Sequence, residues 1–118
     1  MATVKVLPAK LNYRIVRGDD FADQVTIKEG DPAAAVDVSA RTYTAQVRAS
    51  ADSETIIASM VVDMTSAASG VVGYSISDTI TDDLSGSYVW DFQQDTGGVI
   101  RTLMGGSFVV DKDVTRAS

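Results

Sequence analysis

The stretch Gly86-Ser-Tyr-Val-Trp-Asp-Phe-Gln-Gln93, followed by Asp95-Thr-Gly-Gly98, decides the fold class. Its aromatic residues Tyr88, Trp90 and Phe92 alternate with smaller or polar residues, and this period of two predicts a strand with one buried face. The two glycines that follow adopt positive φ angles at low cost, so they predict a hairpin that folds the next strand back. The chain is therefore predicted to be a β-domain.

The same alternation recurs along the rest of the chain, between turn signals such as Gly30-Asp-Pro32. One segment, Ser77 to Leu84, favours a short helix instead, with Ser77 as its cap and Ile80 and Leu84 on one apolar edge. We predict an all-β antiparallel sandwich of about seven to eight strands with one short helical crossover. The residues expected in its core are Tyr43, Val47, Tyr74, Ile76, Tyr88, Trp90, Phe92, Phe108 and Val110.

Length and composition limit the domain organisation. The 118 residues suit one domain, predicted over residues 11–118, preceded by an N-terminal arm or edge strand over residues 1–10. The chain has no cysteine, which rules out disulfides. No segment approaches about 20 consecutive apolar residues and no signal peptide is evident, so we expect a soluble protein made in the cytoplasm.

Charge and residue types narrow the function. Ten Lys and Arg against sixteen Asp and Glu give a formal charge of -6, which argues against direct binding to nucleic acid. Without His or Cys, the chain cannot build a Ser-His-Asp triad, a Cys-His pair or an ordinary zinc site. The carboxylates fall in turns, caps or the outer face, as expected for Asp91. We expect no catalytic residue, no cofactor and no metal site, and hence no enzyme.

Four segments together resemble small structural proteins of tailed bacteriophages: Tyr13 to Phe21, Val36 to Arg48, Leu84 to Gln93, and Gly105 to Arg116. They are similar in particular to the immunoglobulin-like N-terminal domain of phage upper baseplate proteins and to related tail, neck and fibre-attachment modules. The resemblance covers nearly the whole chain from about Leu11 onward.

This resemblance implies an immunoglobulin-like sandwich that serves as a virion structural protein. The expected role is a non-enzymatic adaptor subunit of the tail, baseplate or neck, made in the host cytoplasm and placed in the virion. Its expected partners are other virion proteins and copies of itself, with no direct contact with nucleic acid or membrane. Two alternatives stay open: a carbohydrate-binding or host-adsorption module, and a capsid decoration protein or head-fibre anchor.

The expected mechanism is assembly by burial of surface between subunits. The arm could add as a strand to a neighbour or close an edge of its own sheet, and several arginines could pair with acidic residues of adjacent subunits. The candidate interface residues are Val4, Val6, Leu7, Arg14 and Arg17. A carbohydrate-binding module would instead expose Trp90, Tyr88 or Tyr74.

Overall fold

The computed structural model describes residues 9–30 and 32–112, and these form a β-sandwich. The strands are β1 (Ala9–Lys10), β2 (Tyr13–Val16), β3 (Phe21–Thr26), β4 (Lys28–Glu29), β5 (Ala34–Ala35), β6 (Thr42–Arg48), β7 (Ile56–Ser59), β8 (Val61–Asp63), β9 (Val71–Ile76), β10 (Gly86–Thr96) and β11 (Val99–Asp111). The helical elements are a 3₁₀ turn (Ala67–Ser69) and the α-helix α1 (Asp78–Thr81). The predicted all-β sandwich with one short helical crossover is confirmed.

The strand order is that of an immunoglobulin-like sandwich. The larger sheet runs β11-β10-β6-β7, with β1 and β2 both on the outer edge of β11, and the smaller sheet runs β3-β9-β8. Strands β4 and β5 form a separate two-stranded ribbon. In immunoglobulin terms, β3, β8 and β9 correspond to strands B, D and E, and β6, β10 and β11 to strands C, F and G.

The sequence predicts antiparallel pairing throughout, and the structure departs from this prediction. Strands β1 and β2 run parallel to β11, while the other pairs are antiparallel. Because β10 occupies one edge of β11, the other edge accepts the beginning of the described chain. The period-two pattern identifies strands but carries no information on the direction of their partners.

The predicted hairpin is present and is the longest element of the molecule. Thr96 pairs with Val99, so Gly97 and Gly98 form a two-residue turn, with φ angles of 59° and 90°. Turns of this kind match the twist of the flanking strands and require positive φ at both positions. A bulge lies further along, because Phe92 pairs with Met104 whereas Gln93 pairs with Thr102.

Aromatic side chains fill the space between the two sheets. The Tyr74 ring of the smaller sheet stacks on Trp90 of the larger sheet, with ring centroids 5.5 Å apart. Tyr43 stacks on Phe92 at 5.2 Å within the larger sheet. The expected core residues that the structure places in its interior are Tyr43, Val47, Tyr74, Ile76, Trp90, Phe92, Phe108 and Val110. Tyr13 and Phe21 join this aromatic cluster as well.

Tyr88, also expected in the core, is only half-buried. Its hydroxyl donates to the Ser85 carbonyl at 3.0 Å and accepts from the Ser85 backbone N–H at 3.1 Å. A tyrosine near the start of strand F that bonds the backbone just upstream is a recurrent feature of immunoglobulin-like domains. Tyr88 therefore fixes the corner at which α1 leads into β10.

Helix α1 is present, but its predicted cap is wrong, and of the predicted apolar edge Leu84 is buried whereas Ile80 is not. The Ser77 side chain makes no capping hydrogen bond, and the Asp78 N–H instead donates to Asp20 Oδ1 at 2.7 Å. Ile80 is exposed, whereas Thr81 is fully buried and its hydroxyl donates to the Asp19 carbonyl at 2.7 Å. The turn before β3 thus supplies the hydrogen-bond acceptors for the helix. The sequence of residues 77–84 alone carries no information on this distant contact.

Candidate assembly edges and a polar groove

One apolar edge belongs to both sheets. The chain passes from β7, the last strand of the larger sheet, directly into β8, an edge strand of the smaller sheet. The Met60 N–H donates to the Ala45 carbonyl at 2.8 Å and anchors the crossing point. Ile56, Ile57 and Val61 are 43%, 36% and 67% exposed along this run, which we call the β7–β8 edge. Edge strands with exposed apolar residues are the usual places where another chain adds.

The tip of the β10–β11 hairpin carries a second exposed apolar pair. Val99 and Ile100 are 59% and 63% exposed. On the side of β11 away from β10, the described residues pair with 104–105 and 108–111 but not with 99–103. Within the described part of the chain, this end of β11 is therefore an open edge.

The candidate interface residues differ in where they lie in the structure. Val4, Val6 and Leu7, with most of the predicted 1–10 arm, lie outside the described residues. Arg14 is exposed but forms a bidentate pair with Asp111 of the same chain, at 2.7 and 3.0 Å. The Arg17 backbone N–H donates to the Asp111 carbonyl at 2.7 Å. Arg14 therefore helps to hold β2 against β11.

Arg41 also pairs with an acidic residue of the same chain rather than with a neighbouring subunit. Its guanidinium contacts both carboxylate oxygens of Glu29, at 2.8 and 3.2 Å, and one nitrogen reaches Gln94 Oε1 at 3.2 Å. The hydrogen bond from Arg41 lowers the pKa of Glu29 below its ordinary value. This pair fastens the β4–β5 ribbon to the start of β6.

A groove of about 770 Å³ crosses the outer face of the larger sheet. We call it the polar groove for its charged and amide side chains, although about half of its lining surface is apolar. Its central row follows from strand pairing: Lys10 pairs with Gly105, Gly105 with Asp91, and Asp91 with Gln46. Paired residues lie on the same face, so these four form a line across four strands. The other residues that line the groove come from neighbouring rows of the sheet and from the loops that contain residues 12 and 51. They are Asn12, Arg48, Ala51, Val89, Trp90, Gln93, Gly106 and Ser107.

Gly106 leaves room for the segment that connects β1 with β2. A Cβ on Gly106 would lie 2.4 Å from the Leu11 carbonyl oxygen and 2.5 Å from Asn12 Oδ1, so only glycine lets this segment pass. The passage is fixed by hydrogen bonds from Trp90 Nε1 to the Leu11 carbonyl and from the Ser107 N–H to Asn12 Oδ1. Gly105 leaves the position beside Asp91 without a side chain.

Asp91 lies in the middle of the groove and is only weakly satisfied. Among the described residues, its carboxylate accepts one long hydrogen bond, from Gln93 Nε2 at 3.4 Å. Burial raises the pKa of the Asp91 carboxyl, and this effect exceeds the lowering by the Arg48 charge and by Gln93. Arg48 itself donates to the Ser53 carbonyl at 2.6 Å and to Gln46 Oε1 at 3.0 Å.

The sequence analysis placed Asp91 on the outer face, where it lies, but did not identify the groove. The alternation of Gln46 and Arg48 on β6, and of Asp91 and Gln93 on β10, was the available signal. The pattern carries no information on the strand pairing that places these residues beside Gly105. Of the aromatic residues considered for a sugar site, Trp90 borders the groove, but Trp90 and Tyr74 are 3% and 1% exposed, so neither ring presents a face to solvent.

The described residues contain no group of three or more Asp, Glu, His or Cys arranged to hold a metal ion. None of the described helices is long and apolar enough to span a membrane. In comparisons with known proteins, the chain matches no protein-family model, and no curated protein matches it significantly.

Proposed function

We propose that the protein is a non-enzymatic structural subunit of a tailed-phage virion, an adaptor in the tail, baseplate or neck. The β7–β8 edge is the observation that carries the assembly part of this proposal. The virion context rests on the resemblance of the sequence segments described above. The proposed partners are other virion proteins and further copies of this chain.

The β7–β8 edge supports docking for two physical reasons. Backbone groups at the outer sides of β7 and β8 can pair with a strand of a neighbour, which supplies affinity in β-augmentation. The exposed side chains of Ile57 and Val61 would add burial of apolar surface, at about 25 cal/mol per Å². Natural edge strands are commonly protected by lysine or proline, and the 56–61 run contains neither.

The sandwich also suits a building block. Its two sheets are locked together by stacked aromatic rings, and the arginine pairs at Asp111 and Glu29 fix the ends of strands. A rigid subunit loses little conformational entropy when it docks, so repeated copies can share one geometry. Such a role requires surface complementarity and no reactive group.

Reconstruction of intact phage particles by electron cryo-microscopy tests this proposal. Particles produced by the phage that encodes the chain should contain it at a fixed copy number in the tail, baseplate or neck. Density for the sandwich should place the β7–β8 edge against a neighbouring subunit. Absence of the chain from purified particles, despite its expression during infection, would overturn the proposal, and a position on the capsid surface would replace it with a decoration role.

A further inference from the structure

We propose that the polar groove around Asp91 binds a neutral saccharide unit. The groove lies on the outer face of the larger sheet, and its central row of Lys10, Gly105, Asp91 and Gln46 crosses four strands. The volume of about 770 Å³ falls within the range of roughly 300–1,000 Å³ that is typical of small-molecule sites.

The first argument is the mixture of hydrogen-bonding groups. Asp91 offers an acceptor, Lys10 offers donors, and Gln46, Gln93 and Asn12 each carry a donor and an acceptor on one planar amide. The oxygens of Gln46 and Asn12 already accept one hydrogen bond each, from Arg48 and from the Ser107 N–H, and each keeps a second lone pair. A hydroxyl group both donates and accepts, so a ring bearing neighbouring hydroxyls can satisfy such a mixed set. Side-chain amides and carboxylates set side by side match that pattern.

The second argument is exclusion of other ligand classes by charge. A phosphate or a nucleic acid would meet the carboxylate of Asp91 at the centre of the groove and a chain of formal charge -6, while the Arg48 guanidinium is already engaged by the Ser53 carbonyl and Gln46 Oε1. A cationic ligand would meet Lys10 and Arg48 on either side. An apolar ligand would strip water from these polar groups without replacing their hydrogen bonds, which is costly. A neutral ligand rich in hydroxyls avoids all three penalties.

The third argument is the state of Asp91. Its carboxylate is half-buried, yet its hydrogen bond from Gln93 is long, at 3.4 Å. A partly desolvated carboxylate gains more from a ligand hydroxyl than a fully hydrated one does, because hydrogen bonds to charged groups are the stronger kind. Gly105, which pairs with Asp91, has no side chain that could cover that carboxylate.

Titration of the ¹⁵N-labelled protein followed by NMR tests this inference. The probes are the methyl glycosides of glucose, galactose, N-acetylglucosamine and rhamnose, together with acetyl-arginine amide as a cationic comparison. At least one glycoside should produce saturable shifts at the amides of Gly105, Asp91 and Gln46, with a Kd of about 1 mM or lower. Asp91→Ala should weaken that binding about tenfold or more, and Asp91→Asn, which keeps the shape and one acceptor, by less.

Gln24→Ala is the matched control for Gln46→Ala, because Gln24 is exposed on β3 of the opposite sheet. Gln46→Ala should weaken binding, whereas Gln24→Ala should leave it unchanged. The inference fails if no glycoside gives saturable shifts at about 50 mM, well above the Kd expected for a shallow site. It also fails if the shifts lie outside the groove, if folded Asp91→Ala binds as well as the wild type, or if only acetyl-arginine amide binds.

Discussion

Asp91 places a carboxylate where burial disfavours its charged form. The neighbouring Trp90 and Phe92 are buried in the core, whereas Asp91 holds a carboxylate in a half-buried position with little compensation. Groups whose protonation is perturbed by burial often belong to binding sites, because function can retain a residue that stability alone would remove. The groove gives a reason for such a residue at this position.

This cost predicts a pH dependence for Asp91→Asn. Because burial raises the pKa of Asp91 in the folded protein, the carboxylate destabilises the fold once the pH exceeds that pKa. The variant should therefore be more stable than the wild type at neutral pH. This advantage should shrink as the pH falls through the raised pKa, and it should vanish below the ordinary pKa of an aspartate.

Urea unfolding of both proteins across the pH range measures this difference. Asp95→Asn is a suitable control, since Asp95 lies on the same strand near the hairpin turn and accepts a hydrogen bond from the Gly98 N–H at 2.9 Å. A stability advantage of Asp91→Asn that stays constant down to acidic pH would contradict the assignment of the cost to the carboxylate charge.

At the residue scale, the sequence patterns predicted the face of the strand on which a residue lies. They predicted less well which other residues it contacts. Parity placed Trp90 and Asp91 on opposite faces, and the structure agrees. The need for glycine at 106 was beyond such reasoning, because the atoms that a Cβ would strike belong to Leu11 and Asn12, about a hundred positions away in the chain. Close approaches between distant segments leave no periodic signal.

At the element scale, helix α1 shows how a distant residue can replace a local cap. Asp20, in the turn before β3, accepts a hydrogen bond from the Asp78 N–H at the start of the helix, whereas the Ser77 side chain makes no capping hydrogen bond. The same turn offers the Asp19 carbonyl to the buried Thr81 hydroxyl. The crossover is therefore held by the β2–β3 connection as well as by its own backbone hydrogen bonds.

Asp20→Ala should destabilise the fold by about 1 kcal/mol, the usual cost of losing a capping side chain. Ser77→Ala, the matched variant at the nominal cap position, should change stability by less than about 0.5 kcal/mol. Urea unfolding at neutral pH measures both values. Equal losses in the two variants would show that Ser77, and not Asp20 alone, supports the start of α1.

Among the elements, the positions of the strands were predicted well from the sequence. Alternating residues marked β6, β9 and β10, and the paired glycines marked the turn between β10 and β11. The parallel placement of β1 and β2 was not predicted, since a short strand with one apolar face fits either direction of partner.

For the whole molecule, the exterior divides into surfaces with different chemistry. Within the part of the chain that the structure describes, the β7–β8 edge and the hairpin tip are apolar and open, whereas the groove presents charged and amide side chains. The formal charge of -6 disfavours non-specific association between copies. Assembly would then depend on particular edges that find complementary neighbours, which is the central claim of the proposed function.

Incorporation of Val61→Lys into particles tests that claim most directly, with Ile80→Lys as the control. Val61 is 67% exposed on the β7–β8 edge and Ile80 is 38% exposed on α1, so both variants should stay within about 0.5 kcal/mol of wild-type stability. Quantitative mass spectrometry of purified particles should show Val61→Lys reduced about tenfold or more, because a lysine on an edge strand blocks pairing. Ile80→Lys should enter particles at the wild-type level. Wild-type incorporation of a folded Val61→Lys protein would contradict docking through this edge.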